Sequence, residues 1–316
     1  MTPSETNSPF ISVIVPFLNE EGTLHELRTR VAAALEATGK TFELLYVDDG
    51  STDGSLQTAY ALAKEDTRVR VFSLRHNCGK AAALQIGFEY ARGARIFTMD
   101  ADLQDAPEEL PGMLELMEEG WDLVSGWKQK RHDPISKTWP SKLFNWATGK
   151  VSGIHLHDFN CGLKLYRREV IEELHIYGEM HRYIPVLAHL RGFRVTEKAV
   201  QHYPRKWGKT KYGASRFLKG FLDLLTVVFL QRYTRRPSHI FGGIGSLFGG
   251  IGFILGLYLS FDKIVLGNAI GQRPLLQLSV LLILVGVQLV SLGLLGEMIA
   301  SQQPDERLPL RKPDEL

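Results

Sequence analysis

Two long apolar runs near the end of the chain constrain its fold more than any other feature. Ser238 to Phe261 contains no Asp, Glu, Lys or Arg, and Leu275 to Ala300 contains only Glu297. Each run exceeds the roughly 20 apolar residues with which a helix crosses a bilayer. The sequence therefore predicts two transmembrane helices. The alternative, a helical hairpin buried in a soluble core, is disfavoured because such helices rarely run this long without charge.

Basic residues flank the two runs unequally. The first run is preceded by Arg232, Arg235 and Arg236, and the second is followed by Arg307, Arg311 and Lys312. The short link between the runs contains only two basic residues, Lys263 and Arg273. Positive charge favours the cytoplasmic side. We therefore expect a multi-pass protein of the inner (cytoplasmic) membrane with both termini in the cytoplasm. The polar segment Met1 to Pro9 does not have the character of a signal peptide.

The segment just before the first run is strongly basic. Gln201 to Arg236 carries nine Lys and Arg residues against the single acid Asp223. Apolar residues recur there at helical spacing, which predicts an amphipathic interface helix over residues 215–236. A core helix of a soluble domain is the alternative. Such a basic strip indicates contact with anionic lipid or phosphate, and no motif supports nucleic acid as a partner.

Glycines recur at steps of three and four residues in the first apolar run, at Gly242, Gly245, Gly249, Gly252 and Gly256. This spacing places small residues on one helix face, where another helix can approach closely. The partner is either the second run or another subunit, and we expect a homo-oligomer.

The chain before Pro237 has the pattern of an α/β protein. Apolar runs predict strands at Ile11 to Phe17, Phe42 to Asp48, Val69 to Leu74, Arg95 to Asp100 and Asp122 to Gly126. Helical patterns lie between them at Leu24 to Leu35, Ser55 to Ala63, Ala81 to Ala91 and Glu108 to Glu118. This alternation predicts a mostly parallel, Rossmann-like sheet covered on both faces. We therefore expect a cytosolic α/β domain over residues 1–214, the interface helix over 215–236, a two-helix transmembrane anchor over 237–300 and a cytosolic tail over 301–316. The only cysteines are Cys78 and Cys161, which indicates a reduced, cytosol-facing body.

Acidic residues follow two of the predicted strands, in the segments Asp48 to Asp53 and Asp100 to Asp105. Ligands of such sheets bind beyond the carboxyl ends of the strands. Two carboxylates there can hold Mg²⁺ or Mn²⁺ and leave ligand positions for a substrate diphosphate. Turn and helix-capping roles are the alternative for any single pair. No phosphate-binding glycine loop or dinucleotide fingerprint occurs, which disfavours ATP hydrolysis and hydride transfer.

Six segments in order resemble the motifs of family two glycosyltransferases, and more narrowly those of the polyprenyl-phosphate glycosyltransferases. They are Val13 to Glu21 (VIVPFLNEE), Val47 to Asp53 (VDDGSTD), Asn77 to Ala83 (NCGKAAA), Met99 to Pro107 (MDADLQDAP), Asp158 to Tyr166 (DFNCGLKLY) and Arg205 to Tyr212 (RKWGKTKY). The resemblance implies a glycosyltransferase A-type fold with Mg²⁺ or Mn²⁺. It also implies transfer of a sugar, with inversion, from a nucleotide-sugar donor to a polyprenyl phosphate.

The resemblance also implies roles for individual residues. Nucleotide contacts fall to Pro16, Glu20, Asp48, Asp49, Lys80 and Asp100, and metal contacts to Asp100, Asp102 and Gln104. Acceptor-phosphate contacts fall to Lys128, Arg131, Lys137, Ser141, Lys209 and Lys211. Asp102, Asp158 and Arg205 are the catalytic candidates. The histidines have no zinc-like spacing with the cysteines, so structural roles are expected for them.

A lipid phosphate is already an anion at neutral pH, so it can attack the anomeric carbon without a general base. Two other functions compete. A processive polysaccharide synthase would carry more spans and a Gln-x-x-Arg-Trp segment, which is absent. A non-catalytic membrane scaffold would not need intact Asp100 and Asp102. The sequence leaves the donor open, which is of the UDP-glucose or GDP-mannose type or carries a modified sugar. It also leaves open whether the lipid acceptor is undecaprenyl or dolichyl phosphate.

Overall fold

The structure is a computed structural model that describes residues 8–129, 145, 148–150, 152–174, 176, 178, 180–204 and 237–302. The chain divides into two compact units, Met1–Leu224 and Leu225–Leu316. Several predicted features lie outside the described residues: the helix over 215–236, most of the tail, and Arg131, Lys137, Ser141, Arg205, Lys209 and Lys211.

The first unit alternates strands with helices. Its strands are β1 (Ile11–Phe17), β2 (Phe42–Asp48), β3 (Val69–Ser73), β4 (Arg95–Thr98), β5 (Leu123–Lys128), β6 (Lys164–Arg167) and β7 (Val195–Val200). Its helices are α1 (Leu24–Glu36), α2 (Ser55–Glu65), α3 (Lys80–Tyr90), α4 (Leu110–Glu118), α5 (Arg168–Glu173) and α6 (Ile184–Leu190). Single 3₁₀ turns lie at Pro107–Glu109 and Met180–Arg182.

The seven strands form one mixed sheet in the order β3-β2-β1-β4-β6-β5-β7. Strand β6 is antiparallel to both of its neighbours, β4 and β5, whereas the other pairs are parallel. The predicted α/β class with a mostly parallel sheet is therefore confirmed. Because β6 runs the opposite way, the segment that precedes it lies at the edge where the other strands end.

The central strands and the helices bury the faces that their sequences mark as apolar. All seven residues of β1 and all seven of β2 are buried, as expected for strands covered on both sides. Helix α1 buries Leu24, Leu27, Val31 and Leu35, which recur at helical spacing. Strand β4 ends at Thr98, so Asp100 lies beyond the strand that was predicted to include it.

The described part of the second unit contains the helices α7 (Pro237–Ile264) and α8 (Pro274–Gln302). Both are long and apolar enough to cross a membrane, over Ser238–Ile264 and Pro274–Ile299. Outward side chains such as Ile254 and Leu284 are 66% and 56% exposed among the described residues. This exposure fits lipid-facing helices better than the buried hairpin of a soluble core.

The glycine face of α7 packs against α8. A Cβ added to Gly252 would lie 2.7 Å from the carbonyl oxygen of Ser279, and one added to Gly286 would lie 2.6 Å from that of Gly245. The backbones therefore approach as closely as small residues permit. Of the two partners left open by the sequence, the second run of the same chain is the one that the glycine face contacts.

Candidate active site

The carboxyl end of β2 is held by a network around two buried aspartates. Asp48 accepts hydrogen bonds from the backbone N–H of Ser51 at 2.9 Å and from the Ser73 hydroxyl at 2.8 Å. Asp49 accepts from the backbone N–H groups of Cys78 at 2.8 Å and Gly79 at 3.1 Å. Both carboxylates thus tie neighbouring loops together, and their nucleotide contacts stay a prediction.

Gly50 lets these loops approach each other. Its φ is +75°, and a Cβ there would lie 2.6 Å from the carbonyl carbon of His76. A side chain at this position would push the loop of His76 and Asn77 away from the end of β2. The acidic turn after β2 and the loop that leads into α3 are therefore joined backbone to backbone.

Lys80 begins α3 and reaches the end of β4. Its ammonium group forms an ion pair with the carboxylate of Asp100. Burial by itself would raise the pKa of the Asp100 carboxyl, but the positive charges of Lys80 and Lys128 outweigh burial and hold this pKa below its usual value. Asp100 is therefore an anion compensated by at least one cation.

Asp102 follows Asp100 in a tight turn. It is 8% exposed, and one of its carboxylate oxygens accepts a hydrogen bond from the backbone N–H of Gln104 at 3.2 Å. The intervening Leu103 has a φ of +59°, a left-handed conformation that costs a branched, bulky residue energy. Such backbone strain is characteristic of functional turns, where the surrounding structure enforces it.

The segment before β6 closes one side of this turn. Thr98 donates a hydrogen bond to the carbonyl of Gly162 at 2.9 Å. A Cβ on Gly162 would lie 2.6 to 2.8 Å from the carboxylate atoms of Asp100, so the glycine leaves the space that this side chain occupies. Asp158, at the start of the segment, is 1% exposed and accepts from the backbone N–H of Asn160 at 3.0 Å.

Lys128, predicted to contact the acceptor phosphate, lies at the end of β5 in an ion pair with Asp105. Its ammonium nitrogen is 2.8 Å from the carboxylate of Asp105, whose side chain is fully buried. Burial would lower the pKa of Lys128, but Asp105 outweighs burial and raises it above its usual value. The structure thus gives Lys128 a partner inside the protein, and its contact with an acceptor stays a prediction.

Two titratable groups near Asp100 have no role in the sequence-based assignment of the site: Lys164 and His181. Lys164 is 3% exposed and donates to the carbonyl of Cys161. Burial, followed by the charges of Lys80 and Arg182, lowers the pKa of His181 to about 2, so its imidazole is neutral at physiological pH. Only the antiparallel insertion of β6 and the turn Met180–Arg182, which packs on α3, bring them here.

Gln104, predicted as a metal contact, joins the acidic turn to the end of β7. The side-chain N–H of Gln104 donates to the backbone carbonyl of Tyr203 at 3.4 Å, and the backbone carbonyl of Gln104 accepts from the backbone N–H of Tyr203 at 2.8 Å. Arg30 lies over the Tyr203 ring at 5.4 Å and pairs with Glu108 at 2.8 Å. The residues that directly precede the basic segment at Arg205 are therefore fastened to the acidic turn.

The donor set at the end of β4 fits a hard divalent cation. Asp100 and Asp102 supply carboxylate oxygens from one turn, and the ammonium of Lys80 already marks a cation-binding position on Asp100. No three His, Cys, Asp or Glu residues converge on one point within the described part of the chain. A Mg²⁺-type site needs only one or two carboxylates and leaves positions for phosphate oxygens, so Asp100 and Asp102 would suffice for one.

Known proteins resemble the chain in both sequence and fold. The model of "Glycosyl transferase family 2" matches residues 12–175. The dodecaprenyl-phosphate galacturonate synthase of Rhizobium johnstonii is 43% identical, with 93% of this chain and 90% of that protein covered. The undecaprenyl-phosphate 4-deoxy-4-formamido-L-arabinose transferase of Shewanella sediminis is 36% identical, with 95% and 90% covered.

Two solved structures share the fold at low sequence identity. Mannosyl-3-phosphoglycerate synthase from Rubrobacter xylanophilus has a TM-score of 0.56 at 18% identity, with 71% of this chain and 75% of that chain covered. The second is glucosyl-3-phosphoglycerate synthase from Mycobacterium tuberculosis, in complex with Mn²⁺, UDP-glucose and phosphoglyceric acid. Its TM-score is 0.54 at 18% identity, with 71% of this chain and 79% of that chain covered. They confirm the glycosyltransferase A-type architecture. With the family model spanning half of the chain and close relatives spanning nearly all of it, this protein belongs to glycosyl transferase family 2.

Proposed function

We propose that this protein is a membrane-anchored, inverting glycosyltransferase that moves one sugar from a nucleotide-sugar donor to a polyprenyl phosphate. The observation that carries the proposal is the extent of the similarity to two polyprenyl-phosphate sugar transferases. It covers at least 93% of this chain, so it includes the acidic turns and both apolar helices. A catalytic unit joined to two membrane helices suits a reaction between a soluble donor and a lipid acceptor.

The donor diphosphate is assigned to the edge where β2 and β4 end. Asp100 and Asp102 would hold Mg²⁺ or Mn²⁺, which supplies charge neutralisation for the nucleoside diphosphate that leaves. Proteins of this fold include one crystallised with Mn²⁺ and UDP-glucose, which supports a divalent ion here. Pro16, Glu20, Asp48 and Asp49 remain the proposed base and ribose contacts, and Gln104 holds the acidic turn against Tyr203.

The acceptor needs positioning more than activation. A lipid phosphate oxygen is already anionic, so it attacks the anomeric carbon on the face opposite to the leaving diphosphate, and no proton has to be removed first. Asp158 is then a positioning group for the sugar or the nearby loops rather than a general base. Arg205, Lys209 and Lys211, with Arg131, Lys137 and Ser141, are the proposed contacts of the two phosphate groups.

The identity of the sugar is the finer part of the proposal. The 43% identical relative is named for galacturonate and the 36% identical one for a formamido-arabinose. Nucleotide-linked galacturonic acid therefore heads the donor candidates, ahead of glucose and mannose. The bacterial relatives favour an undecaprenyl-type acceptor over a dolichyl one.

The membrane arrangement follows from charge. The basic residues before α7 and after α8 support an orientation with the catalytic unit and both termini in the cytoplasm and the link between the helices on the opposite side of the inner membrane. The residues 215–236 would lie along the cytoplasmic interface and bring the acceptor phosphate to the catalytic unit. We retain a homo-oligomer as part of the proposal. Because the glycine face of α7 packs against α8 of the same chain, another helix face would have to form the contact between subunits.

A donor panel tests the proposal. Purified full-length protein is incubated with Mn²⁺, undecaprenyl phosphate and, separately, UDP-galacturonic acid, UDP-glucose and GDP-mannose. We expect lipid-linked sugar from one donor and none when the lipid phosphate is omitted. Donor consumption that is independent of the lipid phosphate would point to a hydrolase instead and would refute the proposed acceptor.

A further inference from the structure

The ion pair between Lys80 and Asp100 places an ammonium group on a carboxylate that we assign to the divalent ion. Lys80 Nζ contacts Asp100 Oδ1, and the two side chains are 29% and 33% exposed. An ammonium group and a divalent ion on the same carboxylate oxygen repel each other at contact distance. Lys80 and the metal therefore compete for Asp100, and one of the side chains must move when the metal binds.

Asp100 is the less mobile of the two. An added Cβ on Gly162 would fall 2.6 Å from its Oδ2 and 2.7 Å from its Cγ, so the backbone of Gly162 closes one side of the carboxylate. The Asp100 side chain has only two rotatable bonds. Lys80 instead carries its charge on a flexible four-carbon stem, and it extends from the first residue of α3. The ammonium can leave while the carboxylate stays.

Lys80 contacts the Asp100 carboxylate directly, whereas three neighbouring titratable groups are otherwise engaged. The imidazole of His181 is held neutral by its surroundings. The ammonium of Lys128 pairs with Asp105, and that of Lys164 donates to the carbonyl of Cys161. Lys80 is thus the contacting cation that a divalent ion on Asp100 would replace, while Lys128 adds charge from its own ion pair with Asp105.

We propose that Lys80 is a positioning residue that exchanges partners. It neutralises Asp100 in the empty site and, when metal and donor bind together, it is displaced onto the donor diphosphate. This proposal rests on the proposed function, because the second partner is the diphosphate of a nucleotide sugar. It explains how a site with few carboxylates remains stable without metal. It also makes the metal and the nucleotide bind cooperatively, since the diphosphate provides a new partner for the displaced ammonium.

The test measures Mn²⁺ affinity in the full-length protein by electron paramagnetic resonance of free Mn²⁺, without nucleotide and with UDP or GDP. Lys80→Met removes the charge and keeps the length of the side chain. Without nucleotide, Lys80→Met should bind Mn²⁺ about fivefold more tightly than the wild type, because the competing cation is gone. Lys80→Arg, which keeps the charge, should stay near the wild-type affinity. Lys64→Met, an exposed lysine on α2, is the matched control.

The nucleotide arms test the second half of the exchange. In the wild type, one of the nucleoside diphosphates should strengthen Mn²⁺ binding by more than it does in Lys80→Met, where no ammonium is available for the diphosphate. A purely structural role for Lys80 would weaken Mn²⁺ binding in Lys80→Met instead of strengthening it. Lys80→Gln serves as a second neutral variant if the first fails to fold.

The outcomes separate this proposal from the proposed function. Unchanged or weaker Mn²⁺ binding in both neutral variants overturns the exchange, even if lipid-linked sugar is made by the wild type. Equal strengthening by nucleotide in the wild type and Lys80→Met overturns it as well. Tighter Mn²⁺ binding in the neutral variants together with a smaller nucleotide effect supports the exchange. That result would stand even if the donor panel refuted the proposed acceptor.

Discussion

At the residue scale, the position of Asp100 depends on the absence of a side chain at Gly162. The carboxylate occupies the space that a Cβ at Gly162 would take. In the same way, the missing side chain of Gly50 lets the loop before α3 pack against the carboxyl end of β2. The sequence showed the acidic residues but not these glycines' roles. Their importance comes from contacts between distant segments, which no local pattern records.

Gly162→Ala should therefore displace the Asp100 carboxylate. A shift of about 1 Å at a reacting centre costs on the order of 100-fold in kcat/KM, and we expect a loss of that size. Steady-state transfer with the preferred donor measures it. Gly112→Ala is the matched control, because its added Cβ would meet only the flexible end of Lys198, at 2.8 Å. Equal activity in both variants would contradict the role given to Gly162.

Lys128 illustrates how a charged residue predicted to bind substrate can also support the fold. Lys128→Met would leave the Asp105 carboxylate buried without its cation, and breaking such a pair costs about 3 kcal/mol or more. We expect a clearly lower midpoint of thermal unfolding in detergent for Lys128→Met. Lys64→Met, which removes an exposed charge, should unfold like the wild type. If Lys128→Met keeps its stability but loses transfer, the residue acts at the acceptor instead.

At the scale of elements, the sequence predicted β1 and β2 with the bounds that the structure shows, because each is a continuous buried run. It missed β6 and β7. Strand β6 has four residues, and β7 is half-exposed and mixes charged with apolar residues, so neither has a strong periodic signal. Without β6, the sequence could not bring Lys164 and the segment 158–163 to Asp100, and His181 arrives there through a separate contact of the turn Met180–Arg182 with α3.

The helix pair of the second unit offers a sharp element-scale test. Gly252→Leu should force α7 away from α8, since even a Cβ there would lie 2.7 Å from the carbonyl oxygen of Ser279. Gly250→Leu lies on the same helix with nothing within 4 Å of its added Cβ. We expect thermal aggregation in detergent at a lower temperature for Gly252→Leu only. Similar destabilisation in both variants would show that helix propensity or lipid contact, rather than close packing, decides the outcome.

At the scale of the whole molecule, the proposed orientation, with a cytoplasmic catalytic unit and the link between α7 and α8 on the other side of the membrane, can be tested with cysteines. The chain carries its own reporter, because Cys78 is exposed and Cys161 is buried. Gly271→Cys adds a reporter in the link, at a position with nothing within 4 Å of the added Cβ.

In intact cells, a membrane-impermeant maleimide should label Gly271→Cys in a Cys78→Ser background and should leave wild-type Cys78 unlabelled. After the inner membrane is permeabilised, so that the maleimide reaches the cytoplasm, the exposed Cys78 should become labelled. Labelling of Cys78 in intact cells, with a protected residue 271, would reverse the proposed orientation and remove the charge-based argument for it.

The most direct test of the central claim is mass spectrometry of the lipid product made by purified protein with its preferred donor and undecaprenyl phosphate. We expect a lipid phosphate that carries a single sugar, with one nucleoside diphosphate released for each product. Asp102→Asn, which removes the charge of a proposed metal ligand without changing volume, should fold normally and form this product at least about 1,000-fold more slowly. A ladder of products with several sugars would contradict single-sugar transfer, and full activity of Asp102→Asn with Mn²⁺ supplied would contradict the proposed metal site.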